Sequence, residues 1–112
     1  VTINVSDEIH DTWLNWMKEK HIPDLLSTNL FVSASLNRVI TNSDTGTTYA
    51  VAYKLKNLAD LQKYEIKFSN RFREEYNSKF SASAPTVRTV IQVEDKVEFL
   101  TKKGYLISHC QL

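Results

Sequence analysis

Apolar and polar positions alternate with a period of two over residues 1–5, with Val1, Ile3 and Val5 on one side and Thr2 and Asn4 on the other. Such alternation predicts a short half-buried strand. The period then changes. At about 100° per residue, Ile9, Trp13, Leu14, Trp16 and Met17 gather on one arc, which predicts an amphipathic helix. Ser6 or Asp7 is placed to cap it with a side-chain oxygen. The acidic Asp7, Glu8 and Asp11 suit the positive end of its dipole. Pro23 biases Ile22 away from the helical region, so the helix is expected to end near His21, with one more turn over residues 23–26. Asn29 is expected to close that turn in a left-handed conformation.

Strand periodicity returns over residues 31–40, with Val32, Ala34, Leu36 and Ile40 on one face and Arg38 on that same face. Residues 41–47 are dense in turn formers. Residues 48–55 read as the partner strand of a hairpin: Tyr49, Val51, Tyr53 and Leu55 lie on one side, Ala50 and Ala52 on the other. Leu61, Tyr64, Phe68, Phe72 and Tyr76 recur at spacings of three and four and predict a second helix over 58–80. Lys63, Lys67 and Arg71 repeat on another face, read as a solvated basic stripe. Residues 81–85 connect to a last strand over 86–94, where Val87, Thr89, Ile91 and Val93 alternate with Arg88, Val90 and Gln92. Residues 95–112 form a tail, with Val97, Phe99 and Leu100 on one short helix that Gly104 would cap.

The order is β-α-β-β-α-β plus a C-terminal extension. It predicts an α+β, ferredoxin-like domain over 1–94: a four-stranded antiparallel sheet with both helices on one face. Two helices leave the other face bare. At least three strands read as carrying large side chains on both sides, so that bare face is expected to be apolar. It would exceed what a soluble monomer exposes. A second copy laid sheet to sheet, a two-fold homodimer, is the expected cover.

Composition narrows the function classes. Net charge is +1, from 14 basic and 13 acidic residues, and the basic residues are dispersed. That makes no electrostatic case for nucleic acid or an anionic membrane. No apolar run approaches the roughly 20 residues that span a bilayer, and no leader pattern is visible at the first residues. Cys110 is the single cysteine, so no intramolecular disulfide forms, which favours a reducing, cytoplasmic location.

Ile9-His10-Asp11, Trp13-Leu14, Trp16-Met17-Lys18 and His21-Ile22-Pro23 resemble the first-helix signature of a family of small, uncharacterised bacterial proteins classed as a domain of unknown function. Thr48-Tyr49-Ala50-Val51 with Tyr53, and Val87-Arg88-Thr89-Val90, are similar to its third and fourth strands. The resemblance covers about residues 1–94. It implies a ferredoxin-like dimeric α/β barrel and no established activity. Asn29 stands where the family pattern tends to have Gly, and Asn tolerates the positive φ.

Candidate chemistry is sparse. His10 and His21 flank the apolar arc, but eleven helical residues separate them by about 16 Å. They cannot share a metal ion, and no metal site is expected. Each is either packed beside the core or a general base in a helix–sheet pocket. Arg38 and Arg88 lie on strands. Each either binds a ligand carboxylate or phosphate or pairs with a carboxylate such as Asp24 or Glu94. Tyr49 and Tyr53 read as core or interface area with a hydroxyl at the rim. His109-Cys110 supplies too few ligands for zinc. No nucleophile elbow, phosphate loop or dinucleotide fingerprint is present, and no cofactor is expected.

The favoured pocket lies between the first helix and the sheet, lined by His10, Trp13, Met17 and Tyr53, with Arg38 or Arg88 as anionic anchor. His21 is the further candidate. An apolar cleft with one titratable group and one fixed charge suits an aromatic or acyl carboxylic acid. Three functions remain open. One is a non-enzymatic interaction or small-ligand-binding module. A second is a cofactor-independent monooxygenase or isomerase acting on a small aromatic or acyl acid. The third is a haem-binding protein with a histidine axial ligand.

Overall fold

The structure is a computed structural model and describes residues 1–40 and 45–94. Residues 41–44 of the expected 41–47 turn, the tail helix and His109-Cys110 lie outside the described residues. Four strands, β1 (Thr2–Val5), β2 (Phe31–Arg38), β3 (Thr47–Leu55) and β4 (Thr86–Val87), form one sheet in the order β2-β3-β1-β4. Every neighbouring pair is antiparallel. The helices are α1 (His10–Trp16), α2 (Ile22–Leu26), α3 (Leu58–Lys67) and α4 (Ser69–Phe80). Among the described residues no helix is long and apolar enough to cross a membrane.

The first helical stretch packs as its periodicity predicts. Trp13 and Met17 are fully buried against Ile3, Val5 and Val51 of the sheet, with Ile9, Leu14 and Trp16 at the margin. Its ends depart from expectation. Ser6 is extended and opens a single 3₁₀ turn over Asp7–Ile9, but makes no side-chain cap. Its hydroxyl instead donates to the Ser83 carbonyl at 2.9 Å, tying the helix start to the loop before β4.

Pro23 does not end the helix. A π turn over Met17–His21 precedes it, so the Ile22 amide reaches back to the Met17 carbonyl. The wider turn restarts the ladder, and Pro23 falls in the first turn of α2. Proline is tolerated in the first turn of an α-helix, and the wider turn before it moves the preceding carbonyls out of strict i−4 register. Asn29 holds the expected left-handed conformation, with φ of 65°.

The hairpin pairs Leu36 with Val51 and Arg38 with Tyr49. A bulge between Phe31 and Ser33 shifts the register at the start of β2. The extra residue turns Val32 outward and brings Phe31 in, where its ring meets Tyr53 and Tyr64. Strict alternation had placed Val32 inside, and a bulge inverts it because the side-chain period is two.

Gly46 leads into β3 with φ of +66°, and a Cβ there would sit 2.6 Å from the Val5 carbonyl oxygen. Gly46→Ala is therefore expected to lose at least about 1–2 kcal/mol for the left-handed backbone alone. Urea denaturation checks this. A midpoint equal to wild type would show that the chain enters β3 by a different path.

The second helix is two segments. Asn57 caps α3 by accepting from the Asp60 amide, and the helix breaks at Phe68, with φ of −126°. Tyr64, Phe68, Phe72, Tyr76 and Phe80 are spaced by four. On an unbroken helix each such step drifts by about 40°. Phe72, Tyr76 and Phe80 all fall in α4 after the break, and all three are buried.

The last strand is far shorter than its pattern. Only Thr86 and Val87 pair, with Ile3 and Thr2 of β1. Residues 88–94 form no ladder among the described residues. The bare sheet face also differs from expectation. It carries Thr2 and Asn4 from β1, Ser33, Ser35 and Asn37 from β2, Thr48, Ala50, Ala52 and Lys54 from β3, and the exposed Val87 of β4 opposite Thr2. The large buried side chains Ile3, Val5, Tyr49 and Val51 lie on the helix side, so the centre of this face is small and mostly polar and its apolar area sits at the β4 edge.

Candidate functional site

Two of the expected polar groups, His10 and Arg38, converge on the hydroxyl of Tyr49, a residue read from the sequence as core or interface area. The His10 Nε2 lies 2.7 Å from the Tyr49 hydroxyl, and the Arg38 Nη2 donates to that same hydroxyl at 3.2 Å. Each side chain is brought there by its own element. His10 opens α1 after the 3₁₀ turn. Tyr49 and Arg38 face each other directly across the β2–β3 hairpin, and directly opposed residues share a face. His10 stacks on the Tyr49 ring, and the Arg38 guanidinium lies 5.7 Å from its centroid.

The hydrogen-bond pattern assigns directions. The guanidinium only donates, so the Tyr49 oxygen accepts from Arg38, and its O–H is free to donate to His10 Nε2. Nδ1, 3.0 Å from an Asp11 carboxylate oxygen, then carries the imidazole proton. Asp11 and Arg38 are exposed, His10 is part-buried and Tyr49 is buried. The cluster therefore spans from solvent to core.

Trp13 lies beneath it, 5.0 Å from the Tyr49 ring. Trp13 and Met17 are 0 % and 2 % exposed, so they form the floor under the site and present no surface of their own. Tyr53 sits two pleats further along β3, about 13 Å away. It packs on Phe31, and burial, with Tyr64 and Tyr76 nearby, pushes its hydroxyl well above the usual phenol range.

Arg88 is elsewhere. It pairs with Glu65 of α3, rather than with Asp24 or Glu94. Asp24 is held by Lys20 at 2.8 Å. Among the described residues no carboxylate pairs with Arg38, which instead donates to the Tyr49 phenol.

His21 is also apart from the cluster. It closes the π turn, stacked on Trp16 at 4.8 Å and edge-on to Phe72. Burial pulls its pKa down from 6.5 to about 4, against the upward pull of Glu75 and Asp24 and aided by Lys20. Among the described residues its buried Nδ1 finds no hydrogen-bond partner, and neither does the Trp16 Nε1.

Sequence reasoning missed Tyr49 as the junction, because its alternation is that of any core residue. The signal available was register: once Arg38 and Tyr49 are paired in the hairpin, the phenol and guanidinium must meet. It also missed the buried chain in which Trp13 Nε1 donates to the Tyr76 hydroxyl at 3.0 Å and that hydroxyl donates to the Ala84 carbonyl at 2.7 Å. Among the described residues, no group of three or more His, Cys, Asp or Glu is placed to hold a metal ion.

A family model described as a domain of unknown function, DUF4286, matches residues 1–94. No curated protein and no solved structure matches the chain.

Proposed function

We propose that this chain, which belongs to the DUF4286 family through residues 1–94, is a small-ligand-binding module of ferredoxin-like architecture. The reading places an aromatic or acyl carboxylate on Arg38, beside His10 and Tyr49. The β-α-β-β-α-β order and the sheet order β2-β3-β1-β4 support the architecture. The observation that carries the site is the shared Tyr49 hydroxyl, which fixes a cation and an imidazole at one point of the helix–sheet seam. Arg38 spends one donor on Tyr49, and its planar fork has others for a carboxylate.

Binding is favoured over acid–base catalysis by the same bonds. One His10 nitrogen faces Tyr49 and the other faces Asp11. Neither is free to take a proton from a substrate. The enzymatic alternative requires the Tyr49 hydroxyl to move first.

Benzoate is the probe for this reading, titrated while the His10 ring resonances are followed by NMR. Saturable shifts are expected in the wild-type chain. Arg38→Leu, at an exposed position, should weaken binding by about tenfold or more, since a charge-assisted bidentate pair is lost. Benzoate that leaves the His10 ring unmoved, or that binds Arg38→Leu equally well, overturns the reading.

A further inference from the structure

Residues 88–94, RTVIQVE, continue the alternation of β4 but have no ladder partner among the described residues. The β1–β4 register pairs Ile3 with Thr86 and Thr2 with Val87. Arg88 then has only Val1 to face, and no described backbone lies opposite residues 89–94. Val90, Ile91 and Val93 are exposed, Ile91 at 80 %. A β-branched, alternating segment with open N–H and C=O groups is a template for pairing with another chain.

The segment itself supplies a register. Laid antiparallel against a copy of itself with the two-fold axis at Ile91, Arg88 falls opposite Glu94, Thr89 opposite Val93, Val90 opposite Gln92, and Ile91 opposite Ile91. Both charged residues then meet an opposite charge, and symmetry makes the pair twice. Thr89, Ile91 and Val93 of both copies share one face. A shift of one residue sets Arg88 against Val93 and mixes the faces. The Arg88 guanidinium, already beside Glu65, has donors enough for a second carboxylate.

We propose that the occupant of this edge is a second copy of the chain, joined through residues 88–94 as an antiparallel two-fold ladder centred on Ile91. The centre of the open sheet face is small and mostly polar, and the exposed apolar residues are concentrated at its β4 edge, in Val87 and in this segment. The inference uses no residue of the carboxylate site and stands or falls apart from it.

Two measurements on the full chain test it. In a Cys110→Ser background, Ile91→Cys places two thiols across the axis at a separation a disulfide spans. Mild oxidation should link it into a covalent dimer far faster than it links Val32→Cys, an exposed control on β2. In sedimentation equilibrium, Glu94→Arg should weaken the dimer by about tenfold, the product of two lost pairs and two new repulsions. Adding Arg88→Glu should restore it. If the double variant fails to fold through loss of Glu65, the Ile91→Cys and Glu94→Arg results still decide. A wild-type chain that stays monomeric at high micromolar concentration overturns the proposal. So does equal cross-linking at Val32→Cys, a dimer indifferent to Glu94→Arg, or capture of an extended peptide from another protein in place of a second copy.

Discussion

Trp13→Ala is expected to remove about 3–5 kcal/mol of stability, the range for a large aromatic deleted from a packed core. That is a large share of the whole stability of a domain this size. Three losses combine. The indole is fully buried and meets both the sheet and the Tyr49 ring. It anchors α1, whose other large contacts lie at the margin of the core. Its Nε1 also donates to the Tyr76 hydroxyl, which ties α4 to the Ala84 carbonyl. Trp13→Phe separates these contributions. It keeps most of the ring contact and drops the N–H, and Tyr76 still donates to Ala84. Losing one hydrogen bond of this kind costs about 1 kcal/mol. Urea denaturation followed by far-ultraviolet circular dichroism measures both variants. A Trp13→Ala midpoint close to wild type would show that the helix does not bury this ring.

Acid is expected to destabilise the fold through His21. Its pKa is depressed from 6.5 to about 4 in the folded chain, so between these values the unfolded chain binds a proton and the folded chain does not. The contribution is fully present above 6.5, falls as pH drops, and is gone below about 4. At about 1.4 kcal/mol per pKa unit, the total is about 3 kcal/mol. The cause is geometric. The ring stacks on Trp16 and meets Phe72 edge-on, and among the described residues its buried Nδ1 has no partner to stabilise a charge. Glu75 and Asp24 oppose the shift, but Lys20 occupies the space between them, bonded to Asp24 and 3.7 Å from Glu75. His21→Gln should flatten the stability profile between pH 4 and 6.5, where wild type loses stability. An NMR titration that finds the His21 ring protonating near 6.5 would refute the burial argument.

Local periodicity carried the fold a long way. The arc of Ile9, Trp13 and Met17, the alternation of Tyr49, Val51 and Tyr53, and the aromatic stripe from Tyr64 to Tyr76 all mark core faces. Asn29 was legible because few residues other than Gly and Asn accept a positive φ. Three of the departures share one cause. The bulge at Phe31–Ser33, the π turn before Pro23 and the break at Phe68 each insert or skew a single residue. A pattern read at a fixed period cannot show where that happens, because what selects it is the fit of one element on another.

The site divides in the same way. Its residue types could be named from the chain: two histidines on the helix and two arginines on strands. Which of them meet could not, since that depends on register and on partners distant in sequence. Hairpin pairing set Arg38 opposite Tyr49, and helix docking brought His10 to the same hydroxyl. Packing sent Arg88 to Glu65 and closed His21 under Trp16. Sequence by itself determined the order of the main elements and the buried faces of α1 and β3, because those follow from periods of two and 3.6 and from turn chemistry. Tertiary structure alone decided which polar groups share an atom, because a hydrogen bond needs placement to a few tenths of an ångström and no local pattern encodes that.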